Sequence, residues 1–100
     1  MLPLSAPVLA FALLACGPSY SDVARTDTIE AYEAFLQADP DSAYTNPIEK
    51  RLEELYWDKA VAADSLDGWA EYTKRWEGTK AKRYPDALGK HAQFAWNQAL

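Results

Sequence analysis

Asp27-Thr28-Ile29-Glu30-Ala31-Tyr32 returns 37 positions later as Asp64-Ser65-Leu66-Asp67-Gly68-Trp69. Phe35 and Tyr72 keep that spacing, and so do Tyr20 and Trp57. Trp57-Asp58-Lys59-Ala60 returns as Trp96-Asn97-Gln98-Ala99 at a spacing of 39, so the second connection is two residues longer. A period in the high thirties that holds two amphipathic helices marks stacked helical hairpins, because each hairpin buries its apolar face against the next. No stretch alternates apolar and polar residues as a half-buried strand would. The pattern therefore predicts an all-α chain, a short α-solenoid of antiparallel helix hairpins.

Four helices follow from capping and spacing. Asp27, with Glu30 three residues on, reads as the N-cap of a helix carrying Ile29, Tyr32 and Leu36, with Phe35 beside them. Asp39-Pro40 stops it, since the residue before proline resists αR geometry. Asn46-Pro47-Ile48-Glu49 starts the second, with Ile48, Leu52, Leu55 and Tyr56 on one stripe and Trp57 off it. Asp64 reads as the cap of the third, whose face holds Leu66, Trp69, Thr73 and Trp76, joined by Tyr72, and Gly78 ends it. The last starts near Pro85-Asp86, with Leu88, Ala92, Ala95, Trp96 and Ala99 on a shared face. Tyr20 to Thr26 reads as the tail of an earlier, degenerate unit.

Composition narrows function by exclusion. One hundred residues make one small domain the natural size. Cys16 and His91 are the sole residues of their kinds, which excludes an intrachain disulfide and a multi-histidine zinc site. The net charge of −5 disfavours a nucleic-acid binder. Asp39-Pro40-Asp41 lacks the remaining ligands and the glycine of a calcium loop. Gly89-Lys90 lacks the frame of a phosphate loop. Glu53 and Glu54 are neighbours on a helix and point apart, which suits a solvated face. No cofactor motif and no catalytic constellation emerge, so the expectation is a protein that is not an enzyme.

Residues 1–21 carry no charged side chain, and Val8 to Ala15 is an eight-residue apolar run. That length suits the core of a signal peptide and is too short to span a bilayer. The run closes in Leu13-Leu14-Ala15-Cys16-Gly17. These residues resemble the lipobox of bacterial lipoproteins. The resemblance implies that residues 1–15 are a signal peptide, with cleavage after Ala15 and acylation of Cys16. It further implies a membrane partner through the acyl chains. Gly17 after the cysteine, rather than Asp, implies sorting to the periplasmic face of the outer membrane. Residues 16–26 then form a lipidated tether and helix tail, and residues 27–100 the repeat region.

The run Thr28 to Leu36, the turn Asp39-Pro40-Asp41-Ser42-Ala43-Tyr44 and the segment Arg51-Leu52-Glu53-Glu54-Leu55 resemble tetratricopeptide-type repeats. The similarity is to those of envelope assembly lipoproteins. Gly68 stands where that pattern has alanine at a close helix approach. The resemblance implies a surface for an envelope protein partner and no reaction. Phe94, Trp96 and Leu100 would leave an open edge, which is expected either of a fragment of a longer repeat protein or of a helix that packs back as its own cap.

Charge is divided along the chain. Residues 22–73 hold 13 acidic and 4 basic side chains, whereas residues 74–100 hold 2 acidic and 6 basic. Lys80, Lys82 and Arg83, in the second half, are candidates for docking an acidic partner or an anionic surface, as against a solvated loop. Trp57 is the candidate aromatic contact. The expected function is a lipid-anchored helical-repeat module that scaffolds envelope proteins. The alternatives are an accessory helical region of a longer envelope enzyme and a small cell-wall-binding lipoprotein.

Overall fold

The computed structural model describes residues 18–100. Within them the chain is all-helical, as expected. The elements are α1 (Tyr20–Thr26), α2 (Ile29–Ala38), α3 (Thr45–Ala63), α4 (Leu66–Trp76) and α5 (Tyr84–Ala99). The segment assigned to a signal peptide and Cys16 lie outside the described residues. Two compact units divide between Glu49 and Lys50, inside α3. In the first unit α1 packs on α2, and in the second α4 packs on α5.

Each unit has a corner of the same construction. In the first, Asp27 ends α1 in the left-handed region (φ 54°), and its N–H donates to the Val23 carbonyl at 2.9 Å. In the second, Asp64 follows α3 at φ 43° and donates to the Ala60 carbonyl at 2.8 Å. Asp is one of the few residues with a side chain that tolerates this region, because its short carboxylate bonds locally. The reversal leaves the next residue extended. Thr28 Oγ1 then accepts from the Ala31 N–H at 3.1 Å, and Ser65 Oγ from the Gly68 N–H at 3.1 Å. The aspartate carboxylates take a ring donor from the helix that follows. Tyr32 Oη donates to Asp27 Oδ1 at 2.8 Å, and Trp69 Nε1 to Asp64 Oδ1 at 3.3 Å.

The recurrence extends through the next turn. The Ser42 N–H donates to the Asp39 carbonyl at 3.1 Å, as that of Thr79 does to Trp76 at 3.1 Å. Ser42 Oγ accepts from the Tyr44 N–H at 3.0 Å, and Thr79 Oγ1 from the Ala81 N–H at 3.2 Å. From there the spacing is 39. The Ile48 and Ala87 N–H groups donate to the carbonyls of Tyr44 and Arg83, each at 3.0 Å. Ile48 and Ala87 are both fully buried. The two additional residues therefore fall between Thr79 and Arg83, the stretch that carries Lys80 and Lys82.

Three expectations are corrected. Thr28 and Ser65 are the N-caps, not Asp27 and Asp64, because the left-handed aspartates point their carboxylates at Tyr32 and Trp69 instead. The helix expected to start at Asn46 starts at Thr45. There Thr45 Oγ1 donates to the Ser42 carbonyl at 2.8 Å. On the last helix the face of Leu88, Ala92, Ala95, Trp96 and Ala99 is exposed, with Trp96 at 67%. The packed stripe is Tyr84, Ala87, His91 and Phe94, at i, i+3, i+7 and i+10, with Ala87 buried and the other three half-buried. Apolar content alone pointed to the wrong side.

The α3 stripe is buried at Ile48, Leu52, Tyr56 and Ala60, a strict four-residue spacing that leaves Leu55 half-buried. On α4, Trp69, Tyr72 and Trp76 are buried and supply the bulk of the second unit's interior. Such rings fill a thin core because each carries a large apolar area.

Two glycines give opposite expectations. A Cβ at Gly68 would meet Ala63 Cβ at 2.8 Å, whereas one at Gly89 would meet nothing within 4 Å. Gly68→Ala is expected to destabilise by about 1–3 kcal/mol through overpacking. Gly89→Ala is expected to stabilise by about 0.5–1 kcal/mol through helix propensity. Urea unfolding of the two variants checks the sign of each. Ser65→Ala is expected to lose about 1 kcal/mol in the same assay, through the lost cap.

Candidate functional site

The second unit concentrates its polar chemistry around Trp57. Glu53 and Trp57 lie one turn apart on α3, Tyr72 sits in the middle of α4, and Arg83 precedes α5. Arg83 forks onto Glu53, with Nη2 to Oε1 at 2.8 Å and Nε to Oε2 at 3.1 Å. Tyr72 Oη donates to the same Oε2 at 2.5 Å. The Glu53 side chain is 12% exposed. The two-pronged geometry makes this ion pair stronger than a single contact between flexible chains. The guanidinium also lies over the Trp57 ring, 5.3 Å from its centroid.

Trp57 is held by rings as well. Its centroid is 5.2 Å from that of Trp69 and 5.7 Å from that of Tyr72, both edge-on. The first unit has a counterpart. Tyr20 meets Phe35 edge-on at 6.4 Å and stacks flat on Tyr44 at 4.4 Å and 5°. Where the first unit covers its ring with Tyr44, the second places Arg83.

Beside Trp57 an open cleft of about 400 Å³ is lined by Pro85, Asp86, Gly89, Lys90 and Gln93 of α5. The candidates Trp57 and Arg83 are thus brought together, Trp57 half-buried beside the cleft and Arg83 tied to Glu53. Lys80 and Lys82 are exposed in the preceding turn. Arg75, also in the basic half, lies over the Trp76 ring at 4.3 Å. That leaves the lysines as the solvent-facing cations of the cluster.

Glu53 corrects the expectation of a solvated face. It is the hub of the network, because α4 and the α5 entrance deliver Tyr72 and Arg83 to it. Its signal in the sequence is slight: it follows the buried Leu52 on the helix and sits one turn before Trp57. Glu54 pairs with Arg51 at 3.0 Å. No group of three metal-ligating side chains occurs among the described residues.

Burial raises the Glu53 carboxyl, but hydrogen bonds from Arg83 and Tyr72 and the Arg83 charge outweigh it, so its pKa lies below the ordinary 4.5. Burial, and then the hydrogen bond to Glu53, push the Tyr72 phenol well above its ordinary 10.0. The Glu53 hydrogen bond raises Arg83.

Comparison with protein-family models, with curated proteins and with solved structures returned no match.

The network sets a pH profile. Glu53 stabilises the fold above about pH 4.5 and loses its contribution as acid drives the pH down through its lowered folded value. Tyr72 contributes fully below about pH 10 and progressively less above it, because the unfolded phenol ionises first. Unfolding free energy against pH is expected to fall at both ends. Glu53→Gln is expected to flatten the acid limb and to cost about 1–2 kcal/mol at neutral pH, through the weakened pair with Arg83. Tyr72→Phe is expected to flatten the alkaline limb. An acid limb unchanged in Glu53→Gln would contradict this assignment.

Proposed function

We propose that this chain is a lipid-anchored helical-repeat protein of the bacterial cell envelope that acts as a protein–protein interaction or scaffold module. The observation that carries the interaction reading is the recurrence of one corner at a spacing of 37. The left-handed aspartate, the Thr or Ser cap and the ring donor all return together. Corners reused in this way belong to repeat architectures, which offer extended surfaces rather than a single catalytic pocket. The tetratricopeptide-like resemblance supports the same class.

The anchoring part rests on Leu13-Leu14-Ala15-Cys16-Gly17 after the apolar run. A thiol is the nucleophile that takes a diacylglyceryl group. Each buried methylene then adds about 0.8 kcal/mol, and two or more chains give stable attachment. No helix among the described residues is long and apolar enough to cross a membrane. Ser19 caps α1 directly, so helical structure starts at Tyr20, four residues after Cys16, which would hold the folded part near the bilayer. Lys80 and Lys82 then provide an exposed cationic edge for an acidic partner surface.

Fractionation tests this. Expressed in a Gram-negative host, the chain is expected in the membrane pellet, resistant to high salt and released by detergent. Cys16→Ser is expected to move it out of the pellet with the fold intact by circular dichroism. Equal membrane recovery of the two forms would overturn the anchor. Lys80→Glu with Lys82→Glu is expected to reduce cross-linking to the partner at least about tenfold, with membrane recovery unchanged.

A further inference from the structure

The cleft beside Trp57 combines an aromatic ring with a mixed polar rim. It is a shallow, solvent-open platform with about 400 Å³ of space beside it, not an enclosed cavity. Its floor is an indole ring whose position is set from three directions, by Trp69, Tyr72 and the Arg83 guanidinium. Its rim holds a carboxylate, an ammonium and a carboxamide on successive turns of α5, at Asp86, Lys90 and Gln93. All three are exposed, and the Asp86 charge also acts on the Tyr72 phenol. Between them Gly89 leaves open space at the helix surface.

Charge and shape select the ligand class. Asp86 and Lys90 cancel, and the Arg83 charge is already matched by Glu53. A cleft without net charge gives no advantage to an anion or a cation. A sugar ring offers an apolar C–H face to an indole and polar groups at its edge, which require donors and acceptors together. An acetamido substituent adds an N–H for Asp86, a carbonyl for Lys90 or Gln93, and a methyl group for Pro85. In the first unit Tyr44 stacks on the equivalent ring, Tyr20.

We propose that the Trp57–α5 cleft binds an N-acetylated oligosaccharide. The binding is a property of the second unit and stands independently of the membrane anchor.

The test is a titration of the full chain with a tetramer of N-acetylglucosamine, followed by amide and indole N–H nuclear magnetic resonance. Saturable shifts are expected for the Trp57 indole and the Gly89 amide. The Trp96 indole, 67% exposed on the same helix, is expected to stay in place and reports non-specific stacking. Gly89→Leu places a side chain at the cleft where a Cβ meets nothing within 4 Å, so it is expected to raise Tm through helix propensity while weakening binding at least about tenfold. Trp57→Phe assigns the indole signal. No saturable shift, equal binding by Gly89→Leu, or shifts at Trp96 in place of Trp57 would each overturn the proposal. Co-sedimentation with cell-wall sacculi, lost in Gly89→Leu, distinguishes polymeric wall glycan from a free oligosaccharide as the source of the ligand.

Discussion

A single aspartate held in the left-handed region turns the chain at each corner. It ends one helix, leaves the following hydroxyl extended enough to cap the next, and receives a ring donor from that next helix. The conformation is costly for most residues with a Cβ. Local hydrogen bonds hold it at Asp27 and Asp64, where the backbone amide and the carboxylate are both engaged. Without the reversal, the hydroxyls of Thr28 and Ser65 would not face the amides they satisfy. The rings of Tyr32 and Trp69 would then lose the clamps that orient them in their interiors.

The two units differ where chemistry gathers. Both carry an edge-on aromatic pair, Tyr20 with Phe35 and Trp57 with Tyr72. One closes its ring with Tyr44, whereas the other brings in Arg83 and secures it with Glu53 and Tyr72. The two residues inserted before Arg83 lengthen that turn and expose Lys80 and Lys82. The longer turn before Arg83 and the exchange of Tyr44 for Arg83 thus accompany a polar network, a cationic edge and an open cleft in one unit.

Much of this was legible from residue spacing. The helices, the stop at Asp39-Pro40 and the longer second connection follow from caps, proline and the periods of 37 and 39. The caps lie one residue beyond the expected aspartates, because Asp-Thr and Asp-Ser each offer two capping side chains and the backbone sign at aspartate decides between them. The packed side of α5 is not legible in apolar spacing, because its stripe contains His91 and buries only the small Ala87, while Leu88 and Trp96 face solvent. The hub at Glu53 is not legible either, because its partners lie 19 and 30 residues away, a separation that helix-face patterns do not reach.

The proposed location, membrane face and partner class all depend on the proposed processing at Cys16. The direct measurement is the intact mass of the chain purified from envelope membranes. The expected species begins at Cys16 and carries a diacylglyceryl group and one further acyl chain. A full-length, unmodified chain beginning at Met1 would contradict it.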